Sequence, residues 1–92
     1  MKKTVHLIVS GKVHGVWFRW DTRQWATKFE ITGWVKNLLN GNVEIMATSD
    51  NSKMLSEFIE QVEIGSPASL VDHVEINWLG EVIEFDSFTI KT

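Results

Sequence analysis

Cysteine and tyrosine are absent from this 92-residue chain, and proline occurs once. Without thiols there is no disulfide framework, no zinc–thiolate site and no cysteine nucleophile. Such usage suits a reducing compartment. Long apolar runs are missing too, and nothing approaches the ~20 residues that cross a bilayer. Met1-Lys2-Lys3 opens like a secretory leader, but the apolar residues after it are broken by His6 and stop at Ser10. That run is too short for a leader, and no small-residue cleavage site follows. The expectation is a soluble, cytoplasmic protein with no membrane partner. No serine or threonine stands beside a histidine in a nucleophile pattern. Clusters of histidine and carboxylate at metal-ligand spacing are also absent, so neither a metal nor a cofactor is expected.

The net charge of −3 hides a split along the chain. Up to Lys36, seven lysines and arginines stand against Asp21 and Glu30; from Asn37 onward, Lys53 and Lys91 stand against ten acids. A basic first third beside an acidic remainder points to a local anion site. It argues against a nucleic-acid surface, which needs a broadly basic face. The length predicts one domain, residues 1–92, with its own core.

The hydrophobic pattern divides the chain cleanly. Thr4–Ser10 alternates, with Val5, Leu7 and Val9 on one side, as a strand does. Phe18, Thr22, Trp25, Ala26 and Phe29 then fall on one helical face. Gly33, Val35 and Asn37 share one face of a second strand. Asn40-Gly41 predicts a two-residue type I′ hairpin leading into a third strand, Asn42–Thr48. Ser49–Ser52 offers several helix caps, and Leu55, Phe58, Ile59 and Val62 mark a second helix. Gly65 fits its end and Pro67 blocks its continuation. Leu70–Leu79 predicts a fourth strand, and Phe85–Lys91 a last strand at the sheet edge. The order β-α-β-β-α-β is the ferredoxin-like α+β arrangement, an antiparallel sheet with both helices on one face and a short extra strand. The five tryptophans read as core or sheet-surface packing.

Between the first strand and first helix lies Gly11-Lys12-Val13-His14-Gly15-Val16-Trp17-Phe18-Arg19. Two glycines let the backbone bend where a side chain would clash. A bent strand-to-helix connection can aim N–H groups into an anion-binding concavity, aided by the helix N-terminus. Arg19 adds a planar fork of donors suited to phosphate. Spacing alone favours the plainer reading, a glycine-containing βα turn with an exposed arginine, because short glycine motifs match by chance. His14, inside the loop, reads either as a ligand contact or as a side chain in water. Asn37, at the end of the second strand, can hold a water molecule through its amide or simply start a turn. Taken together, an arginine, oriented amides and an asparagine, with no strong base or leaving-group acid, suit only a phosphate with a good leaving group. An acyl phosphate qualifies, because it expels a carboxylate that needs no protonation near pH 7.

Gly11–Arg19 resembles the signature of the acylphosphatase family: glycine, any residue, valine, often glutamine, then Gly-Val-X-Phe-Arg. A second signature resembles Gly33-Trp34-Val35-Lys36-Asn37 followed by Gly41 and Val43-Glu44. Thr22 and Ala26, Gly65-Ser66-Pro67, Val71, Val74, Phe88 and Ile90 extend the likeness over nearly the whole chain. The resemblance implies hydrolysis of acyl phosphates to carboxylate and inorganic phosphate by a monomer, without nucleic-acid partners. It implies that Arg19 and backbone N–H groups of His14, Gly15, Val16, Trp17, Phe18 and Arg19 bind the phosphate. Asn37 would orient the attacking water, and the substrate's own phosphate oxygens would assist proton transfer. The alternative is a catalytically idle anion-binding or regulatory module on the same fold. The chain departs from the family pattern at His14, where glutamine is frequent, and at Phe29-Glu30-Ile31, where Leu-Gly-Leu is usual. It also carries Asn40 for a common aspartate and lacks a C-terminal tyrosine.

Overall fold

The computed structural model describes Met1–Lys91; Thr92, the last residue of the expected domain, lies outside the described residues. The elements are β1 (Lys3–Lys12), α1 (Phe18–Lys28), β2 (Thr32–Asn37), β3 (Val43–Ser49), α2 (Ser52–Ile64), β4 (Leu70–Trp78) and β5 (Phe88–Lys91). They form one five-stranded sheet in the order β4-β1-β3-β2-β5. The first four strands pair antiparallel, as expected, but β5 runs parallel to β2, so the sheet is mixed. The fold is the α+β, ferredoxin-like arrangement with β5 added at one edge. Alternation of side chains is the same in either direction, so direction is not written in the pattern of a strand.

Val5, Leu7 and Val9 of β1, Val35 of β2 and Val43, Ile45 and Ala47 of β3 are fully buried. They meet Phe18 and Ala26 of α1 and Leu55, Phe58, Ile59 and Val62 of α2 in a single core. Helix α1 packs over β2 and β5, and α2 over β3 and β4. Along β4 the same inward face carries Val74, Ile76 and Trp78, opposite Val9, Leu7 and Val5. Ile76 and Trp78 remain exposed nonetheless, because β4 is the outermost strand.

The helices end as their sequences dictate. Asn51 caps α2, its Oδ1 accepting from the Met54 N–H at 3.0 Å. Gly65 closes α2 at φ 81°, its N–H donating to the Gln61 carbonyl at 2.9 Å. At the end of α1, Ile31 N–H reaches the Ala26 carbonyl at 2.8 Å and Glu30 N–H the Thr27 carbonyl at 3.3 Å. That pair of bonds is the Schellman motif, and its left-handed position holds Glu30 at φ 57°.

Two expectations are corrected. The β2–β3 connection is not a type I′ turn, since Gly41 is left-handed at φ 94° and Asn40 is not. Leu38 N–H instead donates to the Asn42 carbonyl at 2.8 Å and Gly41 N–H to the Leu38 carbonyl at 3.2 Å, giving a longer loop. Asn40 uses its Oδ1 to accept from Asn42 N–H at 3.0 Å. The last strand begins at Phe88 and not Phe85, because the preceding residues cross beneath the sheet. There Ile83 N–H donates to Thr4 Oγ1 at 2.9 Å, Thr4 and Thr48 hydroxyls lie 2.7 Å apart, and Thr48 Oγ1 donates to the Ile83 carbonyl at 2.7 Å. Every group in this ring is satisfied. The two threonines are buried although they belong to the outward face of the sheet.

Candidate active site

The loop between β1 and α1 is bent by its glycines, but for different reasons. Gly11 lies at an irregularity in the β1–β4 pairing with φ 122°, and a Cβ there would sit 2.1 Å from the Leu70 carbonyl oxygen. Gly15 has φ 69°, and a Cβ there would meet nothing within 4 Å. The first glycine is required by close approach and the second by conformation alone. Trp17 is also left-handed, at φ 64°, while Val16 between them is not. Alternation of this kind turns successive N–H groups into one concavity. Among the described residues, no backbone carbonyl accepts from the N–H groups of His14 to Arg19.

Other bonds hold the loop in place. The buried Ser66 hydroxyl donates to the Val16 carbonyl at 2.9 Å. His14 turns its ring away from the concavity, and its Nε2–H donates to the Asn42 carbonyl at 2.8 Å. The same carbonyl receives Leu38 N–H, so His14 ties the loop to the turn that follows Asn37. Phe18 anchors the start of α1 in the core. Asp21, in the first turn of α1, has its carboxyl pushed up by burial, opposed by a hydrogen bond with the Trp25 side chain.

A cavity of about 460 Å3 lies against this loop, lined by Val13, Gly15, Trp17, Phe18, Arg19, Trp20 and Ile90. It gathers Gly15, Trp17, Phe18 and Arg19 of the expected site, and leaves His14, Val16 and Asn37 outside its lining. Arg19 Nη1 donates to the Lys91 carbonyl at 3.4 Å. Lys91 pairs with Lys36 across the β2–β5 ladder, and Asn37 is the next residue on β2. Asn37 follows Gly33 and Val35 on the inward face, and its Oδ1 is buried with no hydrogen-bond partner. It is alone in this among the side chains of the described residues. Asn37 thus lies one residue along β2 from the partner of the residue whose carbonyl receives Arg19.

Sequence reasoning expected only the backbone of Trp17 at the site and read the indoles as packing. Trp17 and Trp20 are exposed at the cavity mouth and do not pack into the core or sheet. The left-handed backbone of Trp17 is strained by ~1–2 kcal/mol relative to an ordinary residue conformation. Ser66 read only as part of the family likeness at Gly65-Ser66-Pro67, and the Lys91 and Asn42 carbonyls carry no side-chain signal. Among the described residues, no three His, Asp or Glu side chains gather where they could hold a metal ion. Among the described residues, no helix is long and apolar enough to cross a membrane.

A ferredoxin-like sandwich with a backbone concavity and an arginine at the start of its first helix defines the class of small α+β protein to which this chain belongs. The chain belongs to the acylphosphatase family, whose model matches residues 5–90. It is 40% identical to an acylphosphatase of Caldanaerobacter subterraneus subsp. tengcongensis over 90 residues, covering 98% of this chain and 99% of that one. The crystal structure of an acylphosphatase from Bacillus subtilis superposes with a TM-score of 0.92 at 35% identity, over 100% of both chains. An acylphosphatase structure from Coxiella burnetii gives the same TM-score at 33% identity, covering 98% of this chain and 93% of that one.

Proposed function

We propose that this protein hydrolyses the carboxyl–phosphate bond of small acyl phosphates, with Arg19 and the loop N–H groups binding the phosphate and Asn37 orienting water. The observation that carries this reading is the buried, unpartnered Oδ1 of Asn37, one residue along β2 from the pair of the carbonyl that receives Arg19. A buried amide oxygen without a protein donor is a ready acceptor for a water hydrogen. Water oriented there adds to phosphorus, and the bond from phosphorus to the acyl oxygen breaks. The carboxylate leaves as the anion, and the water proton passes to a phosphate oxygen. The protein contributes position and charge stabilisation. The Arg19 guanidinium and the unpaired loop N–H groups meet the equatorial oxygens, where charge gathers. The substrate itself supplies the proton acceptor, so no side-chain base is needed.

Hydrolysis of benzoyl phosphate in excess EDTA tests this directly. Turnover, with inorganic phosphate as a competitive inhibitor, is the expected result. Phosphate binding without turnover would leave an idle anion-binding module.

A further inference from the structure

The phosphate chemistry uses the backbone of Trp17 and nothing of Trp20, yet both indoles are exposed at the cavity mouth, Trp17 to 77% and Trp20 to 52%. Exposure on this level is not what core packing or helix stability asks of a tryptophan. Trp17 holds a left-handed backbone that glycine would adopt with less strain. The two indoles also line a second, largely apolar hollow of about 500 Å3, closed by Asp21, Ser66 and Pro67. The second hollow is therefore a neighbour of the first, with two residues in common. An acyl phosphate whose phosphorus lies beside Arg19 carries its acyl group one oxygen away. The residues that line both the Arg19 cavity and the second hollow are Trp17 and Trp20.

We propose that Trp17 and Trp20 form the acyl-group platform of the enzyme and favour flat, uncharged acyl arms, aromatic acyl phosphates above all. The proposal rests on the assignment of the Arg19 cavity to the phosphate. Indole faces are rigid and apolar, and they stack on flat groups at little conformational cost. Pro67 continues the apolar wall. Asp21 stands at the far side, where its carboxylate repels an acyl arm with a second negative charge.

The test compares kcat/KM for acetyl, benzoyl and succinyl phosphate in the wild type, Trp20→Ala, Trp17→Gly and Asp21→Asn. The benzoyl-to-acetyl ratio falls about threefold to tenfold in Trp20→Ala, as loss of a stacking face requires. Trp17→Gly lowers the same ratio while raising Tm, a combination that a merely structural tryptophan does not produce. Succinyl phosphate is the poorest of the three in the wild type, and Asp21→Asn narrows its deficit. An unchanged ratio in a folded Trp20→Ala overturns the platform. Equal kcat/KM for all three substrates in the wild type also overturns it, while leaving the hydrolase intact. Failure of the wild type on every substrate removes the phosphate assignment itself, and the platform with it.

Discussion

Asn37 and Arg19 belong to different elements and meet different demands. Arg19 is fixed at one end by the Lys91 carbonyl and offers the rest of its fork to the cavity. Replacement by alanine is expected to lower kcat/KM by about 10³-fold, as for other phosphoryl-transfer arginines. Lysine at this position recovers little, because one ammonium cannot serve a carbonyl and a phosphate in one plane. Steady-state kinetics of both variants check this. Asn37→Ala separates two effects that usually move together. It removes a buried oxygen that has no protein partner, so thermal stability holds or rises. Its kcat falls by about 10²-fold, while the inhibition constant of inorganic phosphate stays near the wild-type value. Retained kcat would end the water-orienting role. Spacing alone left a plainer reading open for both residues, and the resemblance of Gly11–Arg19 and Gly33–Asn37 to the family's two signatures singled them out. The partner of His14 could not be singled out, because it is a main-chain carbonyl 28 residues away with no signature of its own.

Helix α1 shows what a single departure from a pattern does to an element. Its last turn forms both bonds of a Schellman ending, and Ile31 packs against Ala26 within the core. Yet the left-handed residue is Glu30, where a glycine carries no Cβ penalty. Glu30→Gly relieves ~1–2 kcal/mol of backbone strain and returns part of that as unfolded-state entropy. A net gain of about 0.5–1 kcal/mol is expected, or about 2–8 °C in Tm for a chain this size. A calorimetric scan checks it. The helices were legible because their apolar faces recur at a helical period and their caps are specific residue types. The turn after β2 was not, since Asn40 bonds to the loop through its side chain and does not adopt the left-handed backbone expected of it. The length and direction of β5 were hidden for a related reason. Phe85, three residues before Phe88, is out of phase with the Phe88–Ile90 face, and the long-range fastening of Ile83 ahead of it has no signature in the pattern.

That fastening joins parts of the chain remote from one another. Thr4, Thr48 and Ile83 come from β1, β3 and the final connection, and their ring of bonds leaves no donor or acceptor idle. Thr48→Val keeps the shape and breaks the ring, stranding the Ile83 carbonyl. A loss of about 1–3 kcal/mol is expected. It should appear in urea as a lower midpoint with unchanged slope, the mark of altered stability without altered compactness. The connection so secured delivers β5 to the edge of β2, and β5 delivers the carbonyl that receives Arg19 across 72 residues. In synthesis Arg19 precedes the carbonyl that tethers its guanidinium by 72 residues. A nascent chain that stops short of Phe88 carries the whole glycine-loop signature but lacks the strand whose carbonyl receives the guanidinium.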